Sequence, residues 1–116
     1  MSDYSYDAVV RSVHDGDTIA VDVDAGFDLW IHGMKLRLYG INAPELATPE
    51  GKKAQAALVA IIPVGSAVVI ETIKDKTEKY GRMLAKISTP AVPDVNAKMV
   101  ALGQAKAYFG VGPKPV

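Results

Sequence analysis

The chain has 116 residues, 49% of them hydrophobic and 22% charged, with 13 basic side chains balancing 13 acidic ones. That length closes one hydrophobic core and no second one, and with no cysteine present, disulfides, zinc–thiolate sites and cysteine nucleophiles are all excluded. No stretch is long and apolar enough to span a bilayer, and the first residues are polar and acidic where a secretory signal would be basic and then apolar. The expectation is a soluble, monomeric domain without membrane contact, cytoplasmic or encoded by a phage or mobile element unless a leader has been removed.

The balanced charge hides an asymmetry. Residues 1–50 carry three basic and nine acidic side chains, and residues 51–116 carry ten basic and four acidic. Pairing of the two halves in the fold would give a mixed surface, so the field of the whole molecule does not steer a polyanion and any nucleic-acid site must be local.

In chain order, residues 6–13 read as a strand, and after the turn at His14, Asp15 and Gly16 a second run, 18–24, alternates with period two. This alternation puts Ile19, Val21 and Val23 on one face and Thr18, Ala20, Asp22 and Asp24 on the other. A loop at Ala25 and Gly26 leads to Leu29, Trp30 and Ile31, and after a break at Gly33 residues 35–39 form an alternating strand with Leu36 and Leu38 inward and Arg37 directed away from the core. Thr48 then reads as an N-cap and Pro49 as a first helical residue, with Ala54, Ala57, Leu58 and Ile61 at helical spacing until Pro63. Residues 67–73 are a β-branched strand, 74–81 a charged turn, and 83–87 the return strand. A last helix is capped by Asp94, turns Val95, Met99 and Leu102 inward and stops at Gly103. The Gly-, Pro- and Lys-rich residues 110–116 read as a flexible tail, leaving 1–109 as the single domain. Three strands, a helix, two strands and a helix suit a five-stranded Greek-key barrel of the OB type or a generic α+β sheet with both helices on one face, and element order alone leaves the two open.

Three short stretches carry possible chemistry, and each has an ordinary reading beside the functional one. Asp15, Gly16, Asp17 and Thr18 make a common hairpin turn, yet two carboxylates there also offer hard oxygen ligands for calcium. Asn42, Ala43, Pro44 and Glu45 make a loop toward the helix, yet they also offer an amide oxygen, a backbone carbonyl and a carboxylate. Lys79, Tyr80, Gly81 and Arg82 make a charged hairpin end, yet a guanidinium and a tyrosine there suit a phosphate. His14 and His32 have no second histidine or cysteine at ligand spacing and read as surface or loop residues.

Together, in this order and on these elements, the stretches Asp15-Gly16-Asp17-Thr18, Arg37-Leu38, Pro44-Glu45 and Tyr80-Gly81-Arg82 resemble the staphylococcal nuclease family over residues 9–108. The resemblance implies a mainly β fold, the five-stranded OB barrel with one helix between strands three and four and one after strand five. It also implies a calcium-dependent, sequence-nonspecific nuclease acting on DNA or RNA. In that reading Asp17, Asn42 and the backbone carbonyl of Ala43 hold the metal, Arg37 and Arg82 bind the phosphate and stabilise the five-coordinate transition state, and Glu45 is the general base. Lys79 and Tyr80 match a pocket for a neighbouring phosphate, and Tyr108 is placed to stack on a base or sugar.

This sequence departs from the family at Asn42, where an aspartate is usual. The amide keeps an oxygen but removes a negative charge, so calcium is expected to be weakly held, toward about 10⁻⁴ to 10⁻³ M, with another divalent ion as an alternative. A different class of function is a barrel of the same kind that binds single-stranded nucleic acid or a protein without cutting. Retention of Asp17, Arg37, Glu45 and Arg82 argues against it.

Overall fold

The computed structural model describes residues 5–77 and 83–108, the side chains of 74–77 excepted. Its elements are β1 (Ser5–Asp15), β2 (Thr18–Gly26), β3 (Leu29–Leu38), β4 (Ile41–Asn42), α1 (Pro49–Ile61), β5 (Ala67–Thr77), β6 (Met83–Ser88), α2 (Val95–Ala101) and β7 (Lys106–Ala107). Strands β1, β2, β3, β6 and β5 close a barrel in that spatial order, and β4 pairs with β7 as a separate two-stranded ribbon. All barrel pairings are antiparallel except β3 with β6, which run parallel. This is the five-stranded mixed barrel expected of the OB arrangement, with α1 between the third and fourth barrel strands and α2 after the fifth. The α+β alternative is set aside by barrel closure. Among the described residues no helix is long and apolar enough to cross a membrane.

Closure follows from the alternation in the strands. Val10, Ile19, Val21, Leu36, Leu38, Ile70 and Ile87 all point inward and are at most 1% exposed. Leu58 and Ile62 of the α1 segment, with Val95 and Met99 of α2, pack against them; each such side chain contributes roughly 1.5–3 kcal/mol through removal from water. The Thr48 hydroxyl caps α1 by accepting from the Gly51 N–H at 3.0 Å, and the Asp94 carboxylate caps α2 by accepting from the Ala97 N–H at 2.9 Å. Both caps agree with the sequence reading.

Other details differ from it. Leu102 is 46% exposed and not inward, because α2 ends at Ala101 and the chain reverses at Gly103, whose φ is +74°. Gly33, at φ +70°, does not break β3, which runs through it as one strand with register shifts against β2. β1 and β5 extend two and four residues past their expected ends. The polar face of β2 is not simply solvated either. Asp22 is shielded by partners on both neighbouring strands, accepting from the Gly33 N–H at 2.9 Å and lying 3.2 Å from His32 and 3.4 Å from Arg11. Burial works to raise its carboxyl, but the Gly33 amide, His32 and Arg11 outweigh that and hold it below the ordinary value.

Asn96 is the polar lock between helix and barrel. Its side chain is buried, its oxygen accepts from the Ile87 N–H at 3.1 Å, and its amide donates to the carbonyls of Tyr39 at 2.8 Å and Ala85 at 3.1 Å. One residue thus ties α2 to β6 and to the turn after β3. Asn96→Ala removes the side-chain partner of the Ile87 N–H and the amide donor to the Tyr39 and Ala85 carbonyls, the latter still accepting from the Tyr39 N–H, and should cost about 1–3 kcal/mol in urea unfolding, against well under 1 kcal/mol for a substitution at the exposed Lys98.

Candidate active site

The turn between β1 and β2, the end of β3 and the start of the loop after β4 meet at the Asp17 carboxylate. Asp17 is 6% exposed, and its oxygens accept three hydrogen bonds: Oδ1 from the Thr18 hydroxyl at 3.1 Å, and Oδ2 from the Ala43 N–H at 2.9 Å and Arg37 Nη2 at 3.3 Å. The same Nη2 donates to Asn42 Oδ1 at 2.9 Å. Arg37 alternates out of the barrel interior, as its place in β3 requires, but it is only 7% exposed because Asp17 and the Asn42 segment cover it. Register explains the meeting, since Thr18 pairs with Arg37 across β2 and β3 and the Leu38 N–H donates to the Asp17 carbonyl at 2.8 Å.

Burial pushes the Asp17 carboxyl above its ordinary value of 3.8, Asp15 adds to that, and the Ala43 N–H and Arg37 oppose it without cancelling it. A raised folded-state value means the ionised group weakens folding. The loss is absent below the unfolded value of 3.8, grows as pH rises from there toward the folded value, and is complete above it. Removing the guanidinium in Arg37→Ala should move Asp17 further upward, as read from carboxyl carbon shifts across a pH titration. An unchanged midpoint would mean that the contact carries no electrostatic weight.

Two glycines allow the three segments to approach. A Cβ at Gly16 would lie 2.7 Å from the Cβ atoms of both Ala43 and Ala54, so the turn carrying Asp17 is pressed onto the loop and α1. A Cβ at Gly51 would overlap the backbone carbonyl of Glu45, which also accepts from the Thr48 N–H at 3.0 Å and its hydroxyl at 2.7 Å. Glu45 is thereby fixed by its backbone against the first turn of α1 while its side chain is exposed. Glycine inside a helix normally costs about 0.5–1 kcal/mol relative to alanine. Here the sign should reverse: Gly51→Ala should destabilise the protein by about 1–3 kcal/mol in denaturant unfolding, because the loop must move to admit the methyl group.

The structure therefore brings Asp17, Arg37, Asn42 and Ala43 together and places Glu45 on a groove that also includes Asn42 and Ala43. Tyr108 is half-buried at the turn after β3, where its N–H donates to the Gly40 carbonyl at 2.8 Å. Lys79, Tyr80 and Arg82 lie outside the described residues. The structural roles of Gly51 and of the Asp15 carboxylate, which accepts from the Asp17 N–H at 3.1 Å, were not drawn from the sequence. A glycine at the third position of a capped helix was the available signal for the first.

Among the described residues no group of three or more His, Asp or Glu side chains gathers as a metal cluster. The donor set is instead mixed, and it suits a hard cation. A buried carboxylate oxygen and an amide oxygen already converge on one cationic nitrogen, Arg37 Nη2, and carboxylate, amide and carbonyl oxygens are the ligand types calcium takes. Arg37 Nη2 stands where positive charge is wanted.

Residues 35–115 match the family described as staphylococcal nuclease homologue. Similar curated proteins include "Endonuclease YhcR" of Bacillus subtilis (strain 168), 29% identical over 115 residues covering 90% of this chain and 9% of that protein. "Protein ParB" of Escherichia coli is 39% identical over 108 residues, covering 86% of this chain and 55% of that one. An "Uncharacterized endonuclease" of Escherichia coli O157:H7 is 32% identical over 108 residues, covering 93% and 64%. The chain spans less than two thirds of the length of each of these relatives.

Proposed function

The chain belongs to the staphylococcal nuclease homologue family, and from that premise we propose that it is a calcium-dependent, largely sequence-nonspecific nuclease hydrolysing phosphodiester bonds of DNA or RNA. The observation that carries the reading is the convergence of Asp17, Arg37 and Asn42 from three separate segments onto one buried polar centre.

A phosphodiester is anionic and resists an approaching lone pair, so its cleavage needs positive charge on the non-bridging oxygens and a base for the attacking water. Asp17, Asn42 and the Ala43 carbonyl would hold calcium, which when bound supplies Lewis-acid polarisation of a phosphate oxygen. Arg37 reaches the same oxygens with a guanidinium whose orientation β3 and the Asp17 carboxylate already set. The exposed Glu45 carboxylate, on a loop held by Thr48, takes a proton from water as its oxygen bonds to phosphorus. One P–O ester bond breaks, its electron pair leaves with the departing oxygen, and that oxygen takes a proton from solvent, giving a phosphomonoester and a hydroxyl. Arg82 is assigned the second guanidinium; Met83, which follows it in the chain, pairs with Leu36 beside Arg37. Lys79, Tyr80 and Tyr108 are assigned to contacts with the rest of the strand.

The experiment is digestion of plasmid and heat-denatured DNA with calcium or with a chelator. Calcium-dependent loss of substrate is expected, slowed at least about a hundredfold by Glu45→Gln. Equal cleavage by the variant removes Glu45 from the mechanism. Binding without cleavage under every divalent ion tried identifies a non-catalytic barrel instead.

A further inference from the structure

The β2–β3 hairpin runs past the barrel. β1 pairs with β2 only as far as Val23, and among the described residues β6 pairs with β3 only from Leu36 to Leu38. The arm between them is two strands wide, and its residues from Ala25 to Gly33 are all exposed. Phe27 at the turn is 99% exposed, and Leu29, Trp30 and Ile31 behind it are 63%, 46% and 46% exposed. A two-stranded hairpin is only marginally stable in water by itself, and monomers rarely leave a large contiguous apolar patch bare.

The β3 edge of this arm has the composition of a pairing surface. Leu29, Trp30, Ile31, His32 and Gly33 include no Lys, Arg, Asp, Glu or Pro, the residues that ordinarily keep an edge from pairing. The segment is also complementary to itself when reversed. With Ile31 opposite Ile31 of a second copy, Trp30 faces His32 and Leu29 faces Gly33, where a Cβ would meet nothing within 4 Å and its lack leaves room for the leucine. Gly33, at φ +70°, ends the ladder on each side. One step further out Asp28 comes beside Lys35 of the second copy, so opposite charges close both ends.

We propose that this edge is where two copies of the chain meet, β3 pairing antiparallel with β3 about a two-fold axis at Ile31. The two arms then form one four-stranded sheet, and the contact uses the same surface on both copies, as a two-fold interface requires. Phe27 and the exposed half of Trp30 supply about 300 Å² of aromatic surface per copy. With Leu29, Ile31 and the paired backbone the total approaches the lower bound of about 1,200 Å² for a specific interface, so association in the micromolar range is expected. Asp24 and Asp28 flank the tip, which disfavours its burial in a lipid surface. The dimer departs from the monomer expected from the sequence, and it is independent of the nuclease reading, since none of its contact residues belongs to the Asp17 centre.

Sedimentation velocity on the full chain, at concentrations from about 1 to about 200 µM, tests the association. A species of roughly twice 12.3 kDa should grow with concentration. Ile31→Lys sets two like charges against each other on the axis and should weaken association at least about thirtyfold, with the far-UV circular dichroism of the barrel unchanged. Because the chain has no cysteine, single substitutions report the register. Ile31→Cys should form an intermolecular disulfide under mild oxidation at least about tenfold faster than Leu29→Cys, whose two copies stand roughly 14 Å apart in this register, beyond the ~7 Å between Cα atoms that a disulfide allows. A wild type that stays monomeric at every concentration, an Ile31→Lys variant that associates as before, or cross-linking as fast at Leu29→Cys as at Ile31→Cys would each overturn the proposal. A monomer that co-sediments with phosphatidylcholine vesicles would overturn it in favour of a lipid surface. None of these readouts uses nuclease activity.

Discussion

A buried carboxylate holds this site together. Asp17 lies in a two-residue turn between β1 and β2, yet its side chain accepts from a residue of β3 and from the backbone of the loop beyond β4. An ionised carboxylate so far from water is unfavourable unless donors surround it. Burial and the neighbouring Asp15 push the Asp17 carboxyl upward, and the Ala43 N–H and Arg37 oppose that.

Close backbone approach makes that arrangement possible. The barrel holds Arg37 at the end of a strand whose inward neighbours, Leu36 and Leu38, are fully buried, so the guanidinium is oriented by packing that has no other part in the chemistry. Gly16 and Gly51 remove the two methyl groups that would push the Asp17 turn and the Glu45 loop away from α1. Asn96 secures α2, and the reversal at Gly103 brings Lys106 back to pair with Asn42. Each device fixes a segment carrying a site residue relative to the others, and together they leave a groove open on the Glu45 side.

The barrel strands and the helices were legible because the inward positions repeat with the period of a strand, as in Ile19, Val21 and Val23, and because both helices carry their caps in the sequence; the choice of a barrel over an α+β sheet came only from the family resemblance. β4 and β7 were not legible, since two residues are too few to show any period. Leu102 misled because helical spacing persists in the sequence one residue past the point where the helix stops. The site was legible only as a set of residues. The turn and loop stretches offered Asp17 and Asn42 as oxygen donors and the family resemblance added Arg37, but alternation along β3 only directed Arg37 away from the core, and it is the register of β2 against β3, with the loop folded over it, that encloses the guanidinium. Gly51 escaped because its importance lies in a carbonyl six residues earlier in the chain, a contact that no local pattern encodes.

The central claim is that the Asp17 side chain, more than the barrel alone, holds the Ala43 loop and the Arg37 guanidinium in place. Amide hydrogen exchange on Asp17→Ala tests this most directly. The Ala43 amide should lose its protection while the amides of Val21 and Leu36 in the barrel keep theirs. An Ala43 amide as slow to exchange in the variant as in the wild type would contradict the claim.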